Sequence, residues 1–184
     1  MNPSAAAILN NPQPCGHIVY PYTDETQIAE AVCLFTSAGL RKGEAVLLVM
    51  RENHVAPIRQ RLEAEGHDLA ALQATGQLVC EDASALLASF LDESTLDELA
   101  FKTKIGSLIE KAKAVSSPRP VRVFGEMVDL IWKTDPKPTH RMEELWNEVI
   151  QAHSVPLLCA YSLAGPMPDA LPQELLACHS HAIA

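Results

Sequence analysis

The sequence predicts an α/β fold, a three-layer αβα domain around a mostly parallel five-stranded sheet. Three observations carry that prediction. Five short apolar runs alternate with segments whose apolar residues recur at helical spacing. No Asn-Gly or Asp-Gly pair joins two of the runs, so crossovers rather than tight hairpins must connect the strands. The length of 184 residues suits one domain, large enough to bury a core without disulfides or a structural metal.

Residues 1–16, with their Asn-Pro and Gln-Pro turns, read as a flexible leader, and residues 17–165 as the single domain. His17 to Tyr20 is the first β-prone run, stopped by Pro21. Asp24 is an N-cap with Gln27 three residues on, and Ile28, Val32 and Phe35 follow at helical spacing to Gly39. Ala45 to Met50 is a continuous apolar run of the kind buried on both faces. Asn53 is positioned to cap a second helix carrying Val55, Ile58 and Leu62, with Pro57 in its tolerant first turn and Gly66 closing it.

The third strand is read at Gln77 to Cys80. A polar stretch follows, then a helix with Phe101, Ile105, Leu108, Ile109 and Ala112 on one face, ending before Ser116-Ser117-Pro118. Val121 to Phe124 is the fourth strand, running into Gly125-Glu126 and a helical turn through Trp132. Met142, Leu145, Trp146, Val149 and Ile150 give the cleanest amphipathic helix, and Val155 to Tyr161 the last strand. Residues 166–184, after the Gly165-Pro166 break, read as a peripheral tail.

Composition excludes several classes. Lys and Arg total 14 against 23 Asp and Glu, a formal charge of -9, so the positive footprint needed for nucleic acid or an anionic membrane is missing. Aromatic residues make up 5%, too few for the stacking platforms of single-strand binders. The five cysteines have no C-x-x-C spacing and read as reduced thiols, which with no signal-peptide h-region and no long apolar span points to a cytoplasmic protein.

In open parallel sheets ligands sit beyond the carboxyl ends of the strands. Here that rule selects Tyr20–Tyr22, Met50–Glu52, Glu81 and Asp82, Gly125–Met127 and Ala160–Ser162. A phosphate loop at the first strand end would need glycines and a Lys, but the turn reads Tyr20-Pro-Tyr-Thr-Asp-Glu-Thr26, with two carboxylates where donors are required. Glu126 should point into the cleft at a helix start, with Arg122 four residues back as a partner; it is either a ligand contact or a helix-capping, ion-paired Glu. Tyr20, Tyr22 and Tyr161 cluster at strand ends and could line an apolar pocket with polar tips.

His17 opens the first strand, away from that cleft, and reads as a structural His. Cys159 lies inside an apolar run, where a thiol packs and its pKa rises, although a nucleophilic site of Cys159, His17 and Glu126 can be written. Trp132 and Trp146 belong to core faces. Cys178-His179-Ser180-His181 offers metal-capable side chains, but no fourth ligand is in sight and the segment reads as disordered tail. His140 invites a phosphoacceptor reading, against which it is a residue of its helix's first turn.

The succession HIVYPY, FTSAGLRKGEAVLLVM, VRVFGEMVDLIW, MEELWNEVI and LLCAY resembles the MEDS sensory domain, named for methanogens, methylotrophs and a dichloromethane-responsive regulator, over about residues 17–162. That family is similar in turn to the RecA/KaiC-type ATPase core, through Gly39-Leu-Arg-Lys-Gly-Glu44 and the buried strand behind it. The departures are the missing Walker A loop, Gly125-Glu126 where a Walker B Asp would end the fourth strand, and Glu52-Asn53 where KaiC-like proteins carry a glutamate pair. The resemblance implies a RecA-like scaffold that has lost ATP chemistry and senses a small organic molecule.

The leading expectation is thus a non-catalytic sensory domain without cofactor or metal. It binds a small organic ligand through Tyr20, Tyr22, Arg122, Glu126 and Tyr161, with His17, Glu52 and Cys159 as a second group, and signals to a separate regulatory protein. Homo-oligomerisation is left open. The alternatives are an enzyme, a hydrolase or transferase using Glu126 with Cys159 or His17, and an interaction module whose acidic surface and 140–152 helix bind a regulator.

Overall fold

The computed structural model describes residues 3–114, 119–164 and 170–183. The proposed helix stop at Ser116–Pro118 and the break at Gly165-Pro166 lie outside them. Chain order is α1 (Pro3–Asn10), β1 (His17–Tyr22), α2 (Glu25–Arg41), β2 (Ala45–Met50), α3 (Glu52–Ala64), α4 (Leu69–Ala74), β3 (Leu78–Asp82) and α5 (Ala83–Ala88). There follow β4 (Leu91–Asp92), β5 (Thr95–Leu96), α6 (Glu98–Lys113), β6 (Val121–Gly125), a 3₁₀ turn (Val128–Leu130), α7 (Pro136–His153), β7 (Leu157–Ser162), α8 (Gln173–Ala177) and β8 (His181–Ala182).

The main sheet has the order β3-β2-β6-β7-β1-β8, and every pairing in it is parallel. It therefore has six strands, one more than the sequence predicts. Strict alternation along the strands sends side chains into two cores. Leu47, Val123, Cys159 and Tyr161 pack with Phe101, Ile105 and Trp146 of α6 and α7. Leu48, Phe124, Leu158, Tyr20 and Tyr22 pack with Phe35 of α2 and Ile58 of α3. Both layers of helices are needed because Ala45–Met50 is buried at every residue, as the unbroken apolar run requires.

Local chemistry explains several boundaries. Asp24 is in extended conformation and accepts from the Thr26 N–H, capping α2, and that backbone donor holds its carboxyl below the usual range. α3 begins earlier than the sequence suggests, at Glu52 with Arg51 as the capping position rather than Asn53, so Pro57 sits in the second turn, inside the helix. Gly66 follows the helix at φ +90°, a value that favours glycine. The β4–β5 hairpin turns through Glu93-Ser94, with Glu93 at φ +49°; without Gly or Asn, the turn carries no sequence signal.

Both termini depart from expectation. Residues 3–10 form a helix rather than a flexible leader: Ala5 and Leu9 are buried in the α2-side core, and Lys42 Nζ donates to the Asn10 carbonyl at 2.6 Å. Residues 170–183 are no peripheral tail. Leu171, Leu175 and Ile183 are buried, and β8 adds to the sheet edge through Ser180 N–H to His17 O at 2.8 Å and Ile183 N–H to Val19 O at 3.0 Å. A strand of two residues, His-Ala, is too short for periodicity to reveal. No helix among the described residues is long and apolar enough to cross a membrane.

Candidate functional site

At the carboxyl ends of β1, β2 and β6 six side chains interlock. Glu126 follows the last residue of β6, and its side chain is fully buried. Its Oε2 accepts the backbone N–H of Arg51 at 2.9 Å, and its Oε1 accepts from His54 Nδ1 at 2.5 Å. Arg51, at the start of α3, donates to the Tyr22 hydroxyl at 2.6 Å and lies 3.0 Å from Asp129 Oδ2. Asp129, in the 3₁₀ turn after β6, accepts through Oδ1 from Ser162 N–H at 2.7 Å and Trp132 Nε1 at 3.0 Å. Glu25 at the start of α2 closes the set by pairing with His54 Nε2 from a mostly exposed position.

The electrostatics follow from these contacts. Burial works against a charged His54, but the hydrogen bond and charge of Glu126, with Glu25 beyond, outweigh it and raise the imidazole pKa above 6.5. Burial, with Asp129 adding to it, pushes the Tyr22 hydroxyl far up, keeping it neutral. Arg51 is desolvated, yet the surrounding Tyr22, Asp129, Glu126 and Glu25 hold it charged. Arg51 Nε is buried without a hydrogen-bond partner, and Asp129 Oδ2 is held by its ion pair with Arg51 alone.

A pH dependence follows. A His pKa raised on folding gives stability that is complete below about 6.5 and is lost as pH rises through the folded value. Urea midpoints are therefore expected to fall between about pH 6 and about pH 9, and His54→Gln to flatten that slope. An unchanged slope in the variant would refute the assignment.

Sequence reasoning finds only part of this set. Glu126 and Tyr22 are in it. Arg122 is not: it lies near the other end of β6 and pairs with Glu44 through Nε at 2.6 Å, not with Glu126. Four residues bring side chains together on a helix, but along a strand they span about 13 Å. The three tyrosines also separate. Tyr20 and Tyr22 face α2, while Tyr161 faces α7, so they do not line one pocket. Tyr20 donates to the Gln27 carbonyl at 3.4 Å. Glu52 is exposed at the first position of α3. Arg51 falls inside the strand-end stretch Met50–Glu52 but is not singled out there, and His54 and Asp129 go unnoticed because the helix start is misplaced by one residue and Asp129 is masked in a helical turn.

A second polar cluster lies on the opposite face, against α7. His17, Glu143, Cys159 and His179 each offer a ligand-type atom, all within 4.8 Å of one another. His17 Nε2 is 3.3 Å from Cys159 Sγ and 3.2 Å from Glu143 Oε2. Tyr161 donates its hydroxyl to Glu143 Oε1, and His179 Nε2 lies 3.6 Å from the same oxygen. Burial opposes the charge on Glu143, but His179 and His17 overcome it and lower its pKa. Burial, reinforced by Glu143, pushes the Cys159 thiol well above its ordinary value. The nucleophilic combination of Glu126 with Cys159 or His17 is not assembled, since Glu143 occupies the carboxylate position and Glu126 is engaged with Arg51 and His54. A neutral, buried thiol is also inert as a nucleophile. The sequence signal for Glu143 is a charge on the buried stripe of α7, next to Met142 and Trp146.

A shallow groove of about 340 Å³ lies elsewhere, between the end of β3 and α6, lined by Glu81, Leu86, Thr103, Lys104, Ser107, Leu108 and Lys111. None of the interlocked residues lines it. It joins no converging set of buried polar groups, and the strand-end set is the stronger candidate.

Comparison with known proteins adds three findings. The family model described as MEDS, "MEthanogen/methylotroph, DcmR Sensory domain", matches residues 16–180. No curated protein matches the chain. Among solved structures, the crystal structure of a KaiC-like protein from the hyperthermophilic archaeon Pyrococcus horikoshii OT3 superposes with a TM-score of 0.65, at 12% identity, covering 92% of this chain and 70% of that one. At that identity the likeness shows the fold alone, a KaiC-like three-layer core.

Proposed function

The chain belongs to the MEDS family of sensory domains, and from that premise we propose that it binds a small organic molecule at the carboxyl ends of β1, β2 and β6 and signals to a separate protein partner without catalysing a reaction. The observation that carries this reading is the incompletely satisfied polar set of Tyr22, Arg51, His54, Glu126 and Asp129. Buried polar atoms are nearly always paired, and Asp129 Oδ2 has the Arg51 guanidinium 3.0 Å away, whereas Arg51 Nε has no hydrogen-bond partner and offers a donor to an incoming ligand. Arg51 and Glu25 bring the edge of the set to solvent.

The charge balance narrows the ligand. Glu25, Glu126 and Asp129 oppose Arg51 and a protonated His54, leaving about one net negative charge, which disfavours phosphates and other anions. The turn between β1 and α2 has neither Gly nor Lys and ends in the capping Asp24. The set suits a neutral or cationic organic molecule carrying at least one acceptor for Arg51 Nε. The signal leaves through α2 and α3, the two helices that contribute Glu25 and His54 and cover that face of the sheet.

Native mass spectrometry of the purified chain tests the proposal. A non-covalent organic adduct, released on denaturation and lost in Arg51→Met, is expected. An adduct that persists in Arg51→Met, or a nucleotide in its place, would contradict it.

A further inference from the structure

We propose that His17, Glu143, Cys159 and His179 form a binding site for a single transition metal ion of the zinc class, which fastens the C-terminal segment to the core. This goes beyond the sensory reading and uses none of the residues of the strand-end set of Tyr22, Arg51, His54, Glu126 and Asp129.

The donor set comes first. Two imidazoles, a thiol and a carboxylate are the nitrogen, sulfur and oxygen mixture that four-coordinate zinc accepts, whereas calcium and magnesium want oxygen alone. Spacing comes second. With zinc distances of about 2.0–2.1 Å to N and O and about 2.3 Å to S, tetrahedral ligands stand about 3.3 Å apart for N and O and about 3.6 Å for N and S. His17 Nε2 to Glu143 Oε2 is 3.2 Å, His17 Nε2 to Cys159 Sγ is 3.3 Å, and Cys159 Sγ to Glu143 Oε2 is 3.9 Å. His179 Nε2 is 3.6 Å from the nearer Glu143 oxygen. These four separations are within a few tenths of an ångström of the tetrahedral edge, and the whole set of ligand atoms lies within 4.8 Å, so a metal would draw His179 inward by a side-chain adjustment.

The outer partners fix which ring nitrogen is free. Asn147 Nδ2 donates to the Cys178 carbonyl at 2.9 Å, so its Oδ1 is the atom that faces His17, and His17 Nδ1–H donates to it at 3.1 Å. His179 Nδ1–H donates to the Leu175 carbonyl at 2.8 Å. With each Nδ1 engaged outward, both histidines face the cluster through Nε2, the nitrogen left to bind a metal, which is the arrangement found behind metal-bound imidazoles. His179 Nε2 is fully buried and has no hydrogen-bond partner, a costly state for a polar atom unless something occupies the centre.

The consequence is mechanical. His17, Glu143 and Cys159 stand on β1, α7 and β7, while His179 arrives from the loop between α8 and β8. That last segment has five helical and two strand residues of its own. A metal bond to His179 would join it to the three rigid elements beneath.

Cobalt(II) titration of the full, reduced chain tests the assignment, followed by displacement with zinc. One equivalent per chain is expected, with intense tetrahedral d–d bands and a thiolate-to-cobalt charge-transfer band that zinc abolishes. Cys159→Ser should lose the charge-transfer band, while Cys178→Ser and Cys80→Ser keep it. His179→Ala, which trims only the light C-terminal segment, should lose tight binding, and zinc should no longer slow proteolysis of residues 170–183. A folded wild-type chain that takes up no cobalt, or one whose charge-transfer band survives Cys159→Ser, overturns the proposal. So does equal zinc protection in His179→Ala.

Discussion

Replacing Glu126 with alanine is expected to destabilise the domain by about 3–5 kcal/mol, the range for removing one member of a buried, hydrogen-bonded charge set. The size follows from what the carboxylate satisfies. It accepts from the Arg51 backbone and from His54, and Arg51 Nε lies 3.8 Å from it. Without it, two donors face a cavity and His54 loses its nearest counter-charge. Against a typical total stability of about 5–15 kcal/mol, that is a large fraction. Glu126→Gln keeps the shape and one acceptor but turns an amide N–H toward Arg51 or His54, so an intermediate loss is expected. Equilibrium urea unfolding measures both, and a loss below about 1 kcal/mol in the alanine variant would show that the network is not coupled to folding.

Arg122→Ala is expected to have a similar effect on stability, about 3–5 kcal/mol, with no effect on ligand response. The guanidinium is buried and pairs with Glu44, while NH1 donates to the carbonyls of Phe35 at 2.7 Å and Leu9 at 3.3 Å. It also stacks 5.0 Å from the Phe35 ring centre. Gly39 makes room for it: a Cβ there would stand 2.6 Å from Arg122 Nε. Burial lowers the Arg122 pKa, and Glu44 opposes that effect. Alanine would leave two carbonyls and Glu44 without their donor and would open a void beneath α1. Hydrogen exchange over residues 3–10 should accelerate before the rest of the chain. If Arg122→Ala instead abolished ligand binding at unchanged stability, the residue would belong to the site after all.

The core of the fold was legible because a parallel strand buried on both faces must be apolar throughout, and Ala45–Met50 and Leu157–Tyr161 are. Helix α2 was legible through its Asp24 cap and its spacing, and α7 through spacing alone. What escaped depends on tertiary contact. α1 is short and owes its place to Arg122 and Lys42, and β8 exists only because β1 offers an open edge. The candidate site shows the same division. Glu126 could be found from its place after a buried strand, and Arg51 lay within the selected Met50–Glu52 stretch, whereas His54 needed the true start of α3. His17 and His179 are separated by most of the chain, and no local pattern could bring them together. Glu143 left a trace, as a carboxylate on a buried helical face, where an unpaired charge is not tolerated.

The central claim is that this KaiC-like core holds an organic ligand where a phosphate loop is missing. Its most direct test is thermal unfolding of the wild-type chain with Mg-ATP in one arm and a panel of neutral and cationic small organic molecules in the other. The account predicts no shift in melting temperature with Mg-ATP and a saturable rise with at least one organic compound, lost in Arg51→Met. Stabilisation by micromolar Mg-ATP with none from the organic panel would contradict it.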